Sequence, residues 1–376
     1  MKVVNSIKQH AEIERLLIEK LRSLLSDVEG IGRPKVELTR QARDEGFDAV
    51  ANIPLPNGKQ AVLYIECKTE PRPSLFEVRA AKELPKSVTP VLAAPVVSPR
   101  MAELCRRHGW GWYDLAGNCQ LRVPGAIHIE RTGFASVHHR PPPRANLSTP
   151  HAARVIRTLL VLENLGQKWT QSSLMNHIGS VPPQAPVSIG LVNKVIRHLK
   201  DEAFIEDLPG GEFQLRDPSG LLAAWRNVYR FDRHERRAYF TLLQGKKMRE
   251  ALARLDSDTG GFAAYAAFSA AEFQAPHVRQ PKTWLYVGAQ EISKFEEQAE
   301  AKQVDSGENL VVLIPDDDGV FYMGDGGTVG EARLGCTNIV QTYVDLYHCG
   351  SRGEEAAEAL LEQRLKSEWK RRGVNV

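Results

Sequence analysis

Three consecutive prolines, at positions 141–143, divide this chain of 376 residues. Each proline fixes the backbone φ angle and removes an N–H donor, so neither a helix nor a central strand can run through this segment. We therefore expect a domain boundary at about 140–150, and a softer break near residues 217–220 (DPSG). The length is consistent with this division, because a domain usually takes about 100–200 residues. The predicted domains are residues 1–140, 150–218 and 219–376.

The composition is that of an ordinary globular protein, with 42% apolar and 25% charged residues. No apolar run reaches about 18 residues, so a membrane span is not expected. The N-terminus leads into a charged helical pattern and not into a signal region. The five cysteines form no CxxC pair, which favours a reducing cytoplasm over a disulfide framework or a structural zinc site. Residues 1–150 hold 22 basic and 16 acidic side chains, a mild excess compatible with a basic face.

The first segment has the pattern of an α/β domain. Apolar residues at helical spacing predict a first helix that contains Ile13 to Leu25. A second helix is expected at 75–86, and a third begins at Ser98 and Pro99, which suit the N-cap and first helical positions. Strands are expected at 48–53, 60–67, 90–97, 111–115 and 119–123.

The turn between the first two strands sets their register. Residues 55–59 (LPNGK) are typical of a three-residue hairpin loop, with proline, asparagine and glycine at positions that suit each of them. With Leu55 opposite Lys59, Asp48 lies opposite Glu66, about 5 Å away between Cβ atoms. A two-residue loop would place the two carboxylates on opposite faces. The proline favours the three-residue loop.

Lys68 lies two residues after Glu66 and shares its face of the strand, while Cys67 points into the core. Two carboxylates about 5 Å apart can hold a divalent cation through hard oxygen ligands. Such a cation activates water and offsets charge on phosphorus. The lysine is placed to orient the water or to neutralise the developing negative charge.

Residues 46–50 (GFDAV) and 63–68 (LYIECK) resemble the PD-(D/E)XK motif of restriction-endonuclease-like nucleases. The resemblance implies a restriction-endonuclease-like α/β fold for the first domain. It also implies that Asp48 and Glu66 bind Mg²⁺ and that Lys68 is catalytic.

In that family a glutamate from the first helix often joins the site, and Glu12 or Glu14 is the candidate here. Phe47 departs from the motif, which has proline at this position. The same fold also serves as a DNA-binding or dimerising scaffold, so an inactive site stays an open alternative.

The second segment has the order of a winged helix-turn-helix domain. Helices are expected at 151–164, 170–177 and 188–203, followed by a hairpin at 204–215 with a Gly-Gly turn. In such domains the third helix enters the major groove of DNA and the wing touches the backbone.

Residues 188–200 (SIGLVNKVIRHLK) are the predicted recognition helix, and residues 192–205 closely resemble the last helix and first wing strand of bacterial winged-helix regulators. Asparagine and arginine can bind base edges, and lysine can pair with phosphate. The predicted DNA-binding residues are Ser188, Asn193, Lys194, Arg197 and His198. A helical module for protein contact is the alternative, because acidic residues make the wing a poor phosphate binder.

The third segment is predicted to be α+β. It is expected to begin with basic helical sequence at 221–250 and an alanine-rich stretch at 262–274, and to end with helices at 338–347 and 353–371. Strands are expected at 283–288, 309–314 and 319–323.

Several polar runs of this segment have two interpretations. Residues 316–319 (DDDG) are either a metal cluster or, more simply, a hairpin turn. The basic stretch 230–237 is either a nucleic-acid contact or a solvated helix face. Residues 256–261 and 324–327 are predicted loops.

Two stretches resemble AbiEi-type antitoxins of type IV toxin–antitoxin systems, residues 95–121 and residues 338–360. The resemblance suggests functional roles for Asp114, Asn118, Tyr343 and Asp345, and the simpler interpretation is a turn for the first pair and core packing or helix capping for the second.

The sequence therefore predicts a cytoplasmic regulator of transcription that binds double-stranded DNA, with a toxin partner and a homodimeric state. The alternative is a Mg²⁺-dependent nuclease that its winged helix targets to DNA, and a third is a module that binds only protein.

Overall fold

The computed structural model describes residues 2–28, 32–38, 47–56, 58–81, 84–85, 87–138, 145–182, 184–259, 261–324 and 334–373, and for residues 2–10 and 256–259 it describes the backbone. The chain divides into two compact units, Met1–Pro142 and Pro143–Val376. The division falls in the predicted proline segment, of which residues 139–144 lie outside the described ranges. The second and third predicted domains lie together in the second unit.

In the described part of the first unit, seven strands form one mixed sheet in which the spatial order follows the chain. The strands are β1 (Lys35–Leu38), β2 (Ala49–Pro54), β3 (Gln60–Cys67), β4 (Val88–Ala94), β5 (Gly111–Asp114), β6 (Cys119–Val123) and β7 (Ile127–Arg131). The helices are α1 (Lys2–Ser26), α2 (Pro73–Ala80) and α3 (Pro99–Arg107). The pairs β3–β4 and β4–β5 are parallel and the other pairs are antiparallel. The predicted α/β class of this segment is confirmed.

The side chains of β4 alternate between the two faces of this sheet, as strand geometry requires. Val91 packs in the same core as Leu17 of α1. Leu92 packs with Phe76 of α2 and Met101 of α3. The helices therefore cover both faces. The helix predicted at 75–86 begins and ends earlier, at Pro73–Ala80.

The second unit begins with three helices and a hairpin, in the predicted order. The elements are α4 (Pro150–Leu160), α5 (Gln171–Ser180), α6 (Ile189–Asp201), β8 (Ile205–Asp207) and β9 (Phe213–Leu215). Thr170 and Ser188 cap α5 and α6, because their hydroxyls accept hydrogen bonds from the N–H groups of Ser173 (3.1 Å) and Leu191 (3.3 Å).

The remainder of the second unit is built around a five-stranded sheet, in the order β11-β12-β14-β10-β13 among the described residues. Its strands are β10 (Glu235–Phe240), β11 (Ala263–Tyr265), β12 (Thr283–Val287), β13 (Lys302–Gln303) and β14 (Leu310–Ile314). Its helices are α7 (Pro218–Val228), α8 (Gly245–Thr259), α9 (Ala267–Gln274), α10 (Ile292–Gln298), α11 (Ile339–His348), α12 (Gly353–Leu360) and α13 (Lys366–Arg371). The pair β12–β14 is parallel and the others are antiparallel.

Two predictions for this region are wrong. The basic stretch 230–237 is not a helix face, because helix α7 ends at Val228 and Glu235–Phe240 form β10. Pairing with the buried strand β14 outweighs the helix preference of the local sequence. Residues 319–323 are not a strand either. The side chain of Asp317 accepts a hydrogen bond from the N–H of Gly319 (2.9 Å) and starts a short 3₁₀ turn at Asp318–Phe321.

In the part of the chain that the structure describes, no helix is long and apolar enough to cross a membrane. A third prediction is wrong in part, because residues 256–259 of the predicted loop 256–261 belong to α8. Of the loop predicted at 324–327, residues 325–327 lie outside the described ranges.

Candidate functional site

The hairpin between β2 and β3 has the predicted three-residue loop. The N–H of Leu55 donates to the carbonyl of Lys59 (2.9 Å), and Gly58 has the left-handed φ of +74° that such a loop requires. Ala49 pairs with Ile65, so the same register places Asp48 opposite Glu66. The predicted register is confirmed, and it brings the two carboxylates to neighbouring strand ends.

Asp48 is half-buried and is held by the strand beside it. Its Oδ2 accepts a hydrogen bond from the N–H of Cys67 (2.7 Å), and its own N–H donates to the carbonyl of Ile65 (2.8 Å). Cys67 is buried, as predicted, and burial together with the charges of Asp48 and Glu14 raises the pKa of its thiol. Glu14, which is half-buried, is therefore the candidate glutamate of α1 that lies near the site, whereas Glu12 is exposed.

Glu66 is the most enclosed group of this site. Its side chain is 8% exposed and its two oxygens face two different cations. Oε1 lies 3.0 Å from Nζ of Lys68, and Oε2 lies 2.9 Å from Nε of Arg79 in α2. Lys68 is 47% exposed and Arg79 only 15%. The structure therefore brings Asp48, Glu66 and Lys68 together and adds a half-buried guanidinium that the sequence did not predict.

Aromatic rings hold Arg79 in this position. Its guanidinium carbon lies 4.3 Å from the ring centroid of Phe47 and 5.7 Å from that of Trp110, distances typical of cation–π contacts. Phe47 lies at the position where the PD-(D/E)XK motif, which these residues only resemble, has proline. The departure from the motif thus supplies a ring that supports the counter-ion of Glu66.

The donor set only partly suits Mg²⁺. Asp48 and Glu66 offer the hard oxygen ligands that this ion prefers. However, a cation already faces each oxygen of Glu66, and no group of three or more His, Cys, Asp or Glu side chains suited to a metal occurs among the described residues. The acidic site as built is a charge-compensated cluster more than a metal cage.

The second candidate site is the outer face of α6. Val192, Val195, Ile196 and Leu199 are buried, whereas Lys194 and Arg197 are exposed and lie three residues apart on one face. No carboxylate within the described residues pairs with either of these two side chains in an ion pair. This face therefore presents two uncompensated positive charges.

The other predicted DNA-binding residues have structural contacts. Ser188 is exposed, but its hydroxyl caps the helix. Asn193 is half-buried and donates to Oε1 of Gln171 in α5 (3.0 Å). The predicted placement of His198 is corrected, because this residue is only 9% exposed. It lies three residues after the buried Val195, so helical geometry turns it towards the core.

Asp114 and Asn118 form a turn. Oδ1 of Asp114 accepts hydrogen bonds from the N–H groups of Gly117 and Asn118, both at 2.9 Å. The Asn118 amide also donates to Oδ2 of Asp114 and to the carbonyl of Phe134, both at 2.9 Å. These contacts agree with the simpler of the two interpretations.

A buried polar network in the second unit was only partly predicted, through Asp345. Oδ1 of this completely buried carboxylate accepts hydrogen bonds from the hydroxyls of Tyr229 (2.8 Å) and Tyr286 (3.1 Å) and from the amide of Gln341 (2.7 Å). The Gln341 amide oxygen in turn accepts a hydrogen bond from Nε of Arg157 (2.6 Å). Four segments far apart in sequence supply these groups, so no local pattern could have revealed the network. Tyr343 is also buried, and its hydroxyl accepts a hydrogen bond from Nη1 of Arg226 (3.0 Å).

Comparisons of the chain with protein-family models, with curated proteins and with solved structures found no match. Its function is therefore inferred from the side chains described above.

Proposed function

We propose that this protein binds double-stranded DNA through α6, the recognition helix of a winged helix-turn-helix, and regulates transcription in the manner of the AbiEi-type antitoxins that its sequence resembles. A toxin partner and a homodimer on paired half-sites belong to the same proposal. The observation that carries it is the division of α6 into a buried apolar face and an exposed face with Lys194 and Arg197.

The backbone around α6 supports this assignment. Three helices precede a short antiparallel hairpin in which Ile205 pairs with Leu215. Trp169, between α4 and α5, forms an antiparallel bridge with Phe213 of β9, with two N–H···O bonds of 2.8 Å. A strand position between the first two helices that pairs with the wing is consistent with a winged helix.

The charges favour the helix over the wing as the DNA contact. In the wing, Asp207 is exposed and forms an ion pair with Lys200, and Glu206 and Glu212 add further negative charge. Phosphate oxygens are repelled by such a hairpin. Arg197 has the planar fork that suits a guanine edge, and Lys194 can neutralise a phosphate.

Reversing both charges, with Lys194→Glu and Arg197→Glu, is expected to weaken duplex binding about 100-fold, since each lost contact costs about 1–3 kcal/mol. The measurement is fluorescence anisotropy with a labelled pool of random-sequence duplexes and, as a second probe, duplexes from the region upstream of the gene. Lys247→Glu with Arg249→Glu is the matched control, because both residues are exposed on α8 and the change in charge is the same. Equal losses in both double variants would show that overall charge alone determines binding.

A nuclease is the second candidate function, and the confirmed register of Asp48 opposite Glu66 favours it. If it is correct, Mg²⁺ or Mn²⁺ promotes cleavage of plasmid or branched DNA by the wild type, and Asp48→Ala and Lys68→Ala each reduce cleavage to background while DNA binding is retained. Binding measured on the same samples separates the two functions. Binding without cleavage in all three proteins would leave the first unit as a scaffold.

A further inference from the structure

A cleft in the second unit, open to solvent, has no part in the proposed DNA contact, and its empty space together with the open solvent at its mouth is about 330 Å³. Helices α4 and α7 and the segment that follows α7 form its walls. The lining residues used below are Arg157, Trp225, Tyr229, Arg230, Arg233 and His234.

Two donors of this lining are buried and have no hydrogen-bond partner in the part of the chain that the structure describes. Arg157 is only 2% exposed, and while its Nε donates to Gln341, its Nη1 has no hydrogen-bond partner among the described residues. Nε1 of the fully buried Trp225 also has none. The guanidinium carbon of Arg157 lies 5.4 Å from the centroid of the Trp225 ring. Unsatisfied buried donors are costly, and two of them beside one cleft call for an acceptor in it.

The positive charge of Arg157 is also incompletely compensated. Asp317 lines the cleft, but its carboxylate binds Arg154 through both oxygens and also accepts the N–H of Gly319. Burial raises the pKa of Asp317, yet the Arg154 hydrogen bond and the charges of Arg157 and Arg154 lower it overall, so this group stays ionised. The carboxylate of Asp317 is therefore bound to Arg154 and offsets the charge of Arg157 only from a distance. Arg157 itself has no ion pair within 4.0 Å among the described residues.

The remaining groups do not supply a fixed counter-ion. Asp345 reaches Arg157 only through Gln341, and its burial raises its pKa to about 7, so much of it is neutral near that pH. Nδ1 of His234 accepts the N–H of Asp316 (3.2 Å), which leaves Nε2 to donate to Tyr229. Asp316 itself is at the exposed end of the cleft, together with Arg230 and Arg233.

We propose that this cleft binds a small organic oxyanion, a carboxylate or a phosphate ester that carries a planar or apolar group. The anionic oxygens would accept from Nη1 of Arg157, whose planar fork suits both carboxylate and phosphate. The half-buried ring of Tyr229 offers surface for the planar group. Arg233 adds positive charge at the entrance, where Arg230 is paired with Asp232 (2.6 Å). The proposal does not depend on DNA binding.

Isothermal titration of the full chain with benzoate, phenyl phosphate and inorganic phosphate, each at matched ionic strength, tests the proposal. We expect 1:1 saturable binding of benzoate or phenyl phosphate, and the tighter of the two identifies the anionic group. Arg157→Met is expected to weaken that binding at least tenfold, because a charge-assisted hydrogen bond is lost. Arg249→Ala, on α8, is the control and leaves the affinity unchanged.

Arg233→Ala changes an exposed residue and keeps the test valid if Arg157→Met does not fold, with an expected loss of roughly threefold. The proposal is overturned if none of the three anions saturates in the millimolar range, or if the cleft variants bind as the wild type does. Inorganic phosphate that binds as tightly as phenyl phosphate would overturn the role of the Tyr229 ring.

Discussion

Replacing Asp345 with asparagine is expected to stabilise the protein, relative to the wild type, by about 4 kcal/mol more at pH 8 than at pH 4. Burial raises the pKa of this carboxyl from 3.8 to about 7 in the folded chain. Between these pH values the folded state holds a proton that the unfolded state releases, so the wild type loses stability as pH rises, by about 1.4 kcal/mol per pKa unit. Asparagine does not titrate and lacks this loss. Urea denaturation of both proteins across this range measures the difference.

The same network explains why the comparison must be with asparagine. Oδ1 of Asp345 accepts all three hydrogen bonds, while Oδ2 has no partner among the described residues, so an amide can replace the carboxyl. Asp345→Ala would leave three buried donors unsatisfied and is expected to cost about 3 kcal/mol or more at every pH.

The wild-type curve alone is less informative, because burial and the charge of Arg157 lower the pKa of His234 to about 4. The protein therefore loses the stability contributed by the neutral histidine as pH falls from 6.5 to about 4. This loss offsets the stability that protonation of Asp345 adds over the same range. A difference between wild type and Asp345→Asn that is constant from pH 4 to 8 would contradict the account.

Replacing Arg79 with methionine is expected to destabilise the first unit by about 3 kcal/mol. The loss arises because Glu66, 8% exposed, would keep only the half-exposed Lys68 as a counter-ion, and removing one partner of a buried ion pair leaves an uncompensated charge. Native-state hydrogen exchange on the full chain measures the effect, since it reports the amides of the first unit separately.

Two further variants separate the buried pair from ordinary surface charge. Arg106→Ala breaks an ion pair with Glu103 in which the arginine is 62% exposed, and is expected to cost no more than about 0.5 kcal/mol. Arg79→Met combined with Glu66→Gln removes both charges and is expected to cost less than the sum of the single changes. An Arg79→Met loss as small as that of Arg106→Ala would show that Glu66 does not need this counter-ion.

Local chemistry explains what the sequence could predict. The register of Asp48 and Glu66 follows from five residues, because proline and glycine fix the loop from Leu55 to Lys59. The alternation of side chains along the strands then places the two carboxylates opposite each other on one face. The caps at Ser98, Thr170 and Ser188 depend on one side chain and one nearby N–H, so they too were predictable.

The features that the sequence did not predict depend on long-range packing. Strand β10 forms because β14, about 75 residues later, offers it a partner, and a helical pattern cannot reveal that pairing. The residue type of His198 predicted an outward position, but the helix buries it because it lies three residues after the buried Val195. Arg79 and the network of Arg157, Gln341 and Asp345 join distant segments, and a single basic or polar residue in a helix gives no signal of its eventual partner.

The salt dependence of duplex binding tests the central proposal, DNA contact through α6, most directly. Affinities of the wild type and of the Lys194→Glu, Arg197→Glu double variant would be measured over a series of salt concentrations, and the logarithm of affinity plotted against that of salt concentration. Each cation that neutralises a phosphate contributes about 0.9 to the slope, so the account predicts a slope shallower by roughly 1–2 in the variant, with weaker binding throughout. Identical slopes and affinities would contradict it and would remove α6 as the DNA-binding element.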